Sequence, residues 1–397
     1  MVKTIYFDNG ATTKVDEKAL EVMIPFLSNV YGNPSSNHAV GFEALDAMED
    51  ARNFLAKSIG AKPDEIIFTS GGTESNNAAL KGVAFANRNR GNHIITTAFE
   101  HKSILKTLDW LSTQGFEITK LPLDEDGFVN PKDLENAITD KTILVTIVHG
   151  NNEVGTIQDL ESLGKICKEK NVYFHTDACQ SYTKTELDVN KQNLDLVSLN
   201  SHKIHGPKGV GLLYVRKGTK LDPLLHGGGQ ENNLRAGTQN VPAIVGFAEA
   251  VRQSNKKSHV EKMRKFQNQI ITTLTGDCTA VTLNGPSAGE NRLCNNINLS
   301  FKAVEGEAIG GLLDQMFIEA STGSACSSLS LDPSYVLKAI GMTDEEANGS
   351  LRVSISRFTT QEEVDRFLET VPKVIKKLRK ISPFGKLLDK LSINGVK

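Results

Sequence analysis

Between residues 63 and 215 the chain alternates short runs of β-branched and aromatic residues with longer stretches whose apolar positions recur at helical spacing. The β-type runs fall at 65–69, 93–97, 117–121, 142–148, 172–176, 194–199 and 209–215. Residues 75–87, 102–113 and 160–170 carry the helical pattern. Strands alternating with helices need crossover connections, so this rhythm predicts an α/β fold: a mainly parallel seven-stranded sheet with helices on both faces. A long helical pattern begins near Pro242, passes through the charged 253–265 stretch and ends near Leu274, after which Asn284, Gly285 and Pro286 reset the composition. Beyond it lies an α+β pattern, with strands predicted at 296–301 and 350–354 and helices at 307–316 and 361–380. We expect a large domain over residues 15–260 and a smaller α+β domain over 1–14 and 261–397.

Composition narrows the class. With 397 residues, 39% hydrophobic and 23% charged, the chain can bury a substantial core, which excludes disorder. Lys plus Arg at 45 nearly cancels Asp plus Glu at 47, so the net charge of −2 provides no field for nucleic acid or an anionic membrane surface. No apolar run approaches the roughly 18 residues of a membrane helix, and the first residues show no leader pattern; the expected location is cytoplasmic. Five scattered cysteines without a C-x-x-C pair argue against a disulfide framework and a thiolate zinc site.

Three stretches carry candidate chemistry. In Thr69-Ser70-Gly71-Gly72-Thr73-Glu74-Ser75-Asn76 a strand run gives way to a helix. Its glycines let the backbone approach a ligand, and the helix N-terminus favours an anion such as phosphate; plain capping is the alternative. The dinucleotide and nucleoside-triphosphate fingerprints are absent, so a different phosphate ligand is needed. Asp177, in His175-Thr176-Asp177-Ala178-Cys179-Gln180, stands where a strand runs out, the place where open α/β sheets bind ligands. Lys203 ends the next run, flanked by His202 and His205. A solvated surface lysine is the ordinary reading there, and a desolvated nucleophilic amine the functional one. An Asp and a Lys from neighbouring strand ends, with a phosphate cup, suit pyridoxal phosphate. The third stretch, 321–330, is small and polar around Cys326, the setting of an exposed reactive thiol rather than a core cysteine. Cys167, Cys278 and Cys294 read as structural, and Cys179 as near the cofactor without reacting. A metallohydrolase is the reading from another class, because His175, Asp177 and Cys179 fall at period two and His202 and His205 three apart. Neither H-E-x-x-H nor a clean ligand quartet accompanies them, and no metal is expected in the isolated protein.

With these residues in place, the chain resembles the cysteine desulfurases of the NifS/IscS type, within the class-V aminotransferase group of pyridoxal-phosphate enzymes. The resemblance spans nearly the whole chain and rests on Ala11-Thr12-Thr13, Tyr31 to Ser36, Ser70 to Ser75, Glu100-His101, His149 to Gly155, His175 to Gln180, Ser201 to Gly209, Gly227 to Thr238 and Ser321 to Ser327. It implies a fold-type I transferase that converts L-cysteine to L-alanine. The sulfur would pass as a persulfide on Cys326 to an acceptor, an iron–sulfur scaffold protein above all, with Cys326 a candidate cluster ligand in such a complex. A selenocysteine lyase or a class-V aminotransferase is the alternative on the same fold, although a simple aminotransferase needs no thiol.

By the same resemblance Lys203 is the Schiff-base lysine, Asp177 the partner of the pyridine nitrogen, and His101 the stacked ring and acid–base group. Asn152 and Gln180 contact the phenolic oxygen, and Gly72, Thr73 and His202 the phosphate. Thr238 reaches the phosphate of the other subunit, which implies a homodimer. Arg352 grips the substrate carboxylate through its planar fork, with Asn33 and Asn152 as further substrate contacts. Where the family usually has Ser, two places before the His-Lys pair, this chain has Asn200 followed by Ser201, and both are candidate phosphate donors. One sulfur must meet substrate and then acceptor, so 324–329 is expected to be poorly ordered without substrate. The tail 383–397 is a candidate docking surface, with a frayed terminus as the alternative.

Overall fold

The computed structural model describes residues 3–322 and 332–382. Cys326, the rest of 324–329 and the tail 383–397 lie outside the described residues.

The β-type runs form one seven-stranded sheet in the spatial order Ile66–Thr69, Gly211–Val215, Leu196–Asn200, Tyr173–Asp177, Thr142–Thr146, His93–Thr97, Glu117–Leu121. Gly211–Val215 is antiparallel to both its neighbours, and the remaining pairings are parallel. Successive residues of each strand face opposite sides. Ile66, Phe68, Val145, Val197, Leu199 and Tyr214 pack into one apolar cluster with the helices Ala39–Lys57, Leu160–Glu169 and Val241–Ser254. Ile67, Ile94, Leu144, Leu196 and Leu213 pack on the other face against Gly72–Ala86 and Lys102–Thr113. Except at the edge strand Glu117–Leu121 both faces are buried, which is why the strands read as apolar runs instead of a clean alternation.

Two helices before the sheet, Glu17–Ser28 and Ala39–Lys57, add to the elements that the pattern predicts. The long helix expected from 242 to 274 is two helices, Val241–Ser254 and Lys257–Asp277. Ser254 Oγ donates to the Ile204 carbonyl at 2.9 Å, and the Arg357 guanidinium reaches the same hydroxyl. The break is thus pinned by contacts from distant residues, which leave no mark on local periodicity.

A second core gathers Phe7, Phe266, Ile270, Leu299, Leu351 and Phe367 around a three-stranded antiparallel sheet in the order Ser350–Ser354, Asn296–Phe301, Val281–Leu283. Ile5–Tyr6 pairs in parallel with Ile318–Glu319 at its side. Residues 8–16 then cross toward the large sheet. Asn9 donates from its backbone to the Ser354 carbonyl at 3.2 Å, and Thr13 donates from N at 3.0 Å and Oγ1 at 2.8 Å to the His202 carbonyl. Among the described residues no helix is long and apolar enough to cross a membrane.

Candidate active site

The parallel strands end on a common edge, and loops leaving that edge enclose a cavity of about 210 Å³. Gly72, Thr73, His101, Asn152, Asp177, Gln180, Asn200, His202 and Lys203 all line it, although they come from five separate loops or strand ends. Asn33, Ser201, Thr238 and Arg352 are not among its walls.

One end of the cavity is a backbone cup. Gly71 takes a φ of +152°, a conformation that L side chains rarely adopt, and it caps the helix Gly72–Ala86. A Cβ at Gly72 would lie 2.6 Å from Cys179 Sγ, so only glycine lets this turn approach the floor of the site. The first N–H groups of a 15-residue helix therefore face the cavity with the positive end of its dipole. Glu74 stiffens the cup by accepting from Ser70 N–H at 2.8 Å and pairing with Arg235 at 2.9 Å. Asn200 Nδ2 faces Gly72, and its buried Oδ1 has no partner among the described residues. His202 holds Thr12 Oγ1 at 3.1 Å through Nδ1. Burial, then Lys203 and Lys208, push its imidazole down to about 4, so it is neutral at pH 7.

At the floor, Asp177 is buried, with Oδ2 accepting from Asn76 Nδ2 at 2.7 Å and Oδ1 from Cys179 N–H at 2.9 Å. Burial opposes its ionisation, yet His101, Asn76 and the Cys179 N–H outweigh that cost and hold the carboxyl below the usual aspartate range. It makes no ion pair with a Lys or Arg among the described residues, so this charge is left for a cationic ligand atom. His101 caps the helix Lys102–Thr113, accepting from Ser103 N–H at Nδ1, and burial, then Lys203, lower its imidazole below the ordinary value. Cys179 Sγ lies 3.6 Å from the Ser198 carbonyl; burial, then Asp177, raise its thiol well above the usual range, which leaves it an unreactive wall. Gln180 Nε2 donates to the Gly10 carbonyl at 2.9 Å.

Four of the expected residues stand outside the walls of this chain's cavity. Ser201 Oγ packs where a Cβ on Gly206 would come within 1.9 Å of it. The residue after Asn200 faces away from the cup, so no phosphate contact from Ser201 is available in this arrangement. Asn33 is exposed and accepts from Ser35 N–H at 2.9 Å. Thr238 is exposed, outside its own chain's cavity. Arg352 is buried and pairs with Asp8 at 2.7 Å; its Nη1 lies 3.5 Å from the Asn152 carbonyl, and Nε has no partner among the described residues. His175, from the metal-site alternative, is bound on both ring nitrogens, to Thr146 Oγ1 at 2.8 Å and Ser198 Oγ at 3.0 Å. Among the described residues no group of three His, Cys, Asp or Glu is placed to hold a metal.

The sequence reading misses Asn76 and Ser103, both cavity walls, and Asp8. Asn76 had a visible signal, since it lies one turn along the helix from Gly72 and so on the same face.

A buried carboxylate without a cationic side chain, a glycine cup on a helix N-terminus, a neutral imidazole and an amine in the wall fit pyridoxal phosphate group by group. The class-V aminotransferase family model matches residues 5–367. The cysteine desulfurase IscS of Dictyoglomus turgidum is 49% identical over 386 residues, covering 97% of this chain and 98% of that protein. A solved structure described as a NifS-like protein matches with a TM-score of 0.88 at 40% identity, over 94% of this chain and 100% of that one. Another, SspA in complex with cysteine, matches with a TM-score of 0.80 at 38% identity, over 90% and 100%. Fold and site together define a fold-type I transferase with pyridoxal phosphate as its cofactor. The chain belongs to the class-V aminotransferase family and, within it, to the cysteine desulfurases.

Proposed function

We propose that this enzyme converts L-cysteine to L-alanine and carries the removed sulfur as a persulfide on Cys326 to an iron–sulfur scaffold protein in the cytoplasm. The observation that carries the reading is the buried, ionised Asp177 below a glycine cup, with Lys203 in the same wall.

When bound, pyridoxal phosphate supplies an electron sink for the pair released at the substrate carbons. Lys203 would anchor the cofactor, and its amine in the cavity wall would move the substrate α-proton. Asp177 keeps the pyridine nitrogen protonated. Gly72, Thr73, Asn200 and His202 hold the phosphate, joined by Thr238 of the second subunit in a homodimer. Asn152 and Gln180 orient the phenolic oxygen. Arg352, steadied by Asp8, takes the substrate carboxylate with help from Asn33 and Asn152. The Cys326 thiolate attacks the substrate sulfur; an S–S bond forms and the C–S bond breaks. The electron pair of that bond stays with the substrate carbon, which takes a proton moved by His101. Cysteine plus thiol thus becomes alanine plus persulfide with no external oxidant or reductant. Residues 15–260 form the cofactor domain in this proposal, and 1–14 with 261–397 the smaller one that carries Cys326.

The test is the visible spectrum before and after L-cysteine, with alanine and sulfide assayed in the same tube. A yellow protein whose band changes, with alanine and reducible sulfur in equal amounts, is expected. Lys203→Ala should lose the covalent link, whereas Cys326→Ser should stay coloured and release no sulfide. A protein that remains colourless with added cofactor, or a fully active Cys326→Ser enzyme, overturns the proposal.

A further inference from the structure

Between Asp177 and His101 runs a chain of side chains that the reaction outlined above does not use. Asn76 Nδ2 lies 2.7 Å from Asp177 Oδ2 and 2.8 Å from Ser103 Oγ, and Ser103 Oγ lies 2.8 Å from His101 Nδ1. The direction of each bond follows from chemistry. Asp177 is an acceptor, so Asn76 must turn its nitrogen toward it; the flipped amide would set oxygen against a carboxylate. The two amide hydrogens then go to Asp177 and to Ser103 Oγ. Ser103 Oγ, having accepted, has its own hydrogen left for His101 Nδ1. The backbone N–H of Ser103 also points at Nδ1, at 3.2 Å, and an N–H can only donate.

Two donors therefore converge on Nδ1. The buried Asn76 Oδ1 has no partner among the described residues, so this amide is held here by what its nitrogen does. We propose that Asn76 and Ser103 are positioning residues that fix the neutral His101 ring as the Nε2–H tautomer, so that it offers a donor from Nε2. The proposal rests on the reading of the cavity as the reaction site. In the other tautomer Nδ1–H would face the Ser103 N–H, donor against donor. The charged groups that face the ring are Lys203, Asp177 and Lys102, and His202 and Cys179 share the cavity. The low imidazole value produced by burial and Lys203 keeps the ring neutral, the state in which tautomer matters. The same chain ties the ring to Asp177, so the two groups that address the cofactor move as one body.

The test is nitrogen NMR of the full-length enzyme as purified, labelled with ¹⁵N-histidine and assigned with His101→Gln. The unmodified protein is expected to show a protonated Nε2 and a bare Nδ1 at His101. Ser103→Ala keeps the backbone donor and loses the hydroxyl, and should raise the Nδ1–H population roughly fivefold, the effect of one lost hydrogen bond. Ser103→Thr should restore the original ratio, and the pH profile of alanine formation should shift in the Ala variant and not in the Thr variant. If Ser103→Ala fails to fold, Asn76→Ala should give a shift in the same direction. An Nδ1–H ring in the unmodified enzyme, or a tautomer ratio unmoved by the Ala variants, overturns the proposal. The nitrogen spectrum needs neither colour nor turnover, so an enzyme without cofactor or desulfuration would refute the function while the tautomer was still decided.

Discussion

Glu100, next to His101, is fully buried, with Oε1 accepting from Thr97 Oγ1 at 2.7 Å and from Val148 N–H at 2.9 Å. Burial outweighs both donors and pushes its carboxyl up to about 8 from an ordinary 4.5. Folding therefore takes up a proton between those values. The contribution of this group is fully present below 4.5 and is lost as pH rises through about 8. Glu100→Gln removes the titration, so its stability relative to the parent should rise steadily from pH 5 to pH 8 in urea unfolding. A difference independent of pH would mean that Glu100 is ionised in the fold. At this scale the sequence yields the residues whose roles follow from type and position, such as Gly72, Asp177 and Lys203. It hides Ser103, whose work depends on a contact with Asn76, 27 residues away in the chain. The reading of Cys326 rests on the resemblance and the polar stretch around it, and the residue lies outside the described ones.

Among elements, one carboxylate ties the segment 225–239 to the strand Ile66–Thr69. Glu231 takes both forks of Arg52 at 2.8 and 2.9 Å and the Phe68 N–H at 2.8 Å, and receives Gln239 at 3.0 Å. Glu231, Asn232 and Asn233 have φ of +48°, +57° and +63°, a run of left-handed residues that these bonds must pay for. Glu231→Ala leaves the buried Arg52 with the more exposed Glu49 at 3.0 Å as its remaining ionic partner and should cost about 2–3 kcal/mol in urea unfolding, with new protease cleavage near 225–239. A loss under 1 kcal/mol would show that water reaches Arg52 and that the pair is not the clamp. Six of the seven strands were legible as runs rich in apolar and β-branched residues buried on both faces, whereas the edge strand Glu117–Leu121 is largely exposed. The break after Ser254 was not, because the polar stretch 252–259 holds no Gly or Pro to mark it and the residues that pin it, Ile204 and Arg357, are remote in sequence.

For the whole molecule, Leu20, Ile24 and Leu27 line one side of the helix Glu17–Ser28 and are exposed, as are Tyr31, Val40 and Phe42 beyond it. Such a stripe on an isolated chain suits a second copy, as the proposed dimer requires. Sedimentation should give twice the 43.2 kDa chain mass, and the double variant Ile24→Glu with Leu27→Glu should sediment as a monomer and hold cofactor more weakly, having lost the partner's phosphate contact. A parent protein that is monomeric at micromolar concentration and fully coloured would refute the dimer.

The crossing segment 8–16 has a consequence for biosynthesis. Asn9 bonds Ser354 and Asp16 pairs with Arg357, partners 345 and 341 positions later. A ribosome therefore exposes these residues long before their partners exist, and this side of the pocket stays open until residues 354–357 have been made. Cofactor loading then waits for residues 354–357, and a nascent chain stalled before them will be colourless however much of the large sheet has already formed.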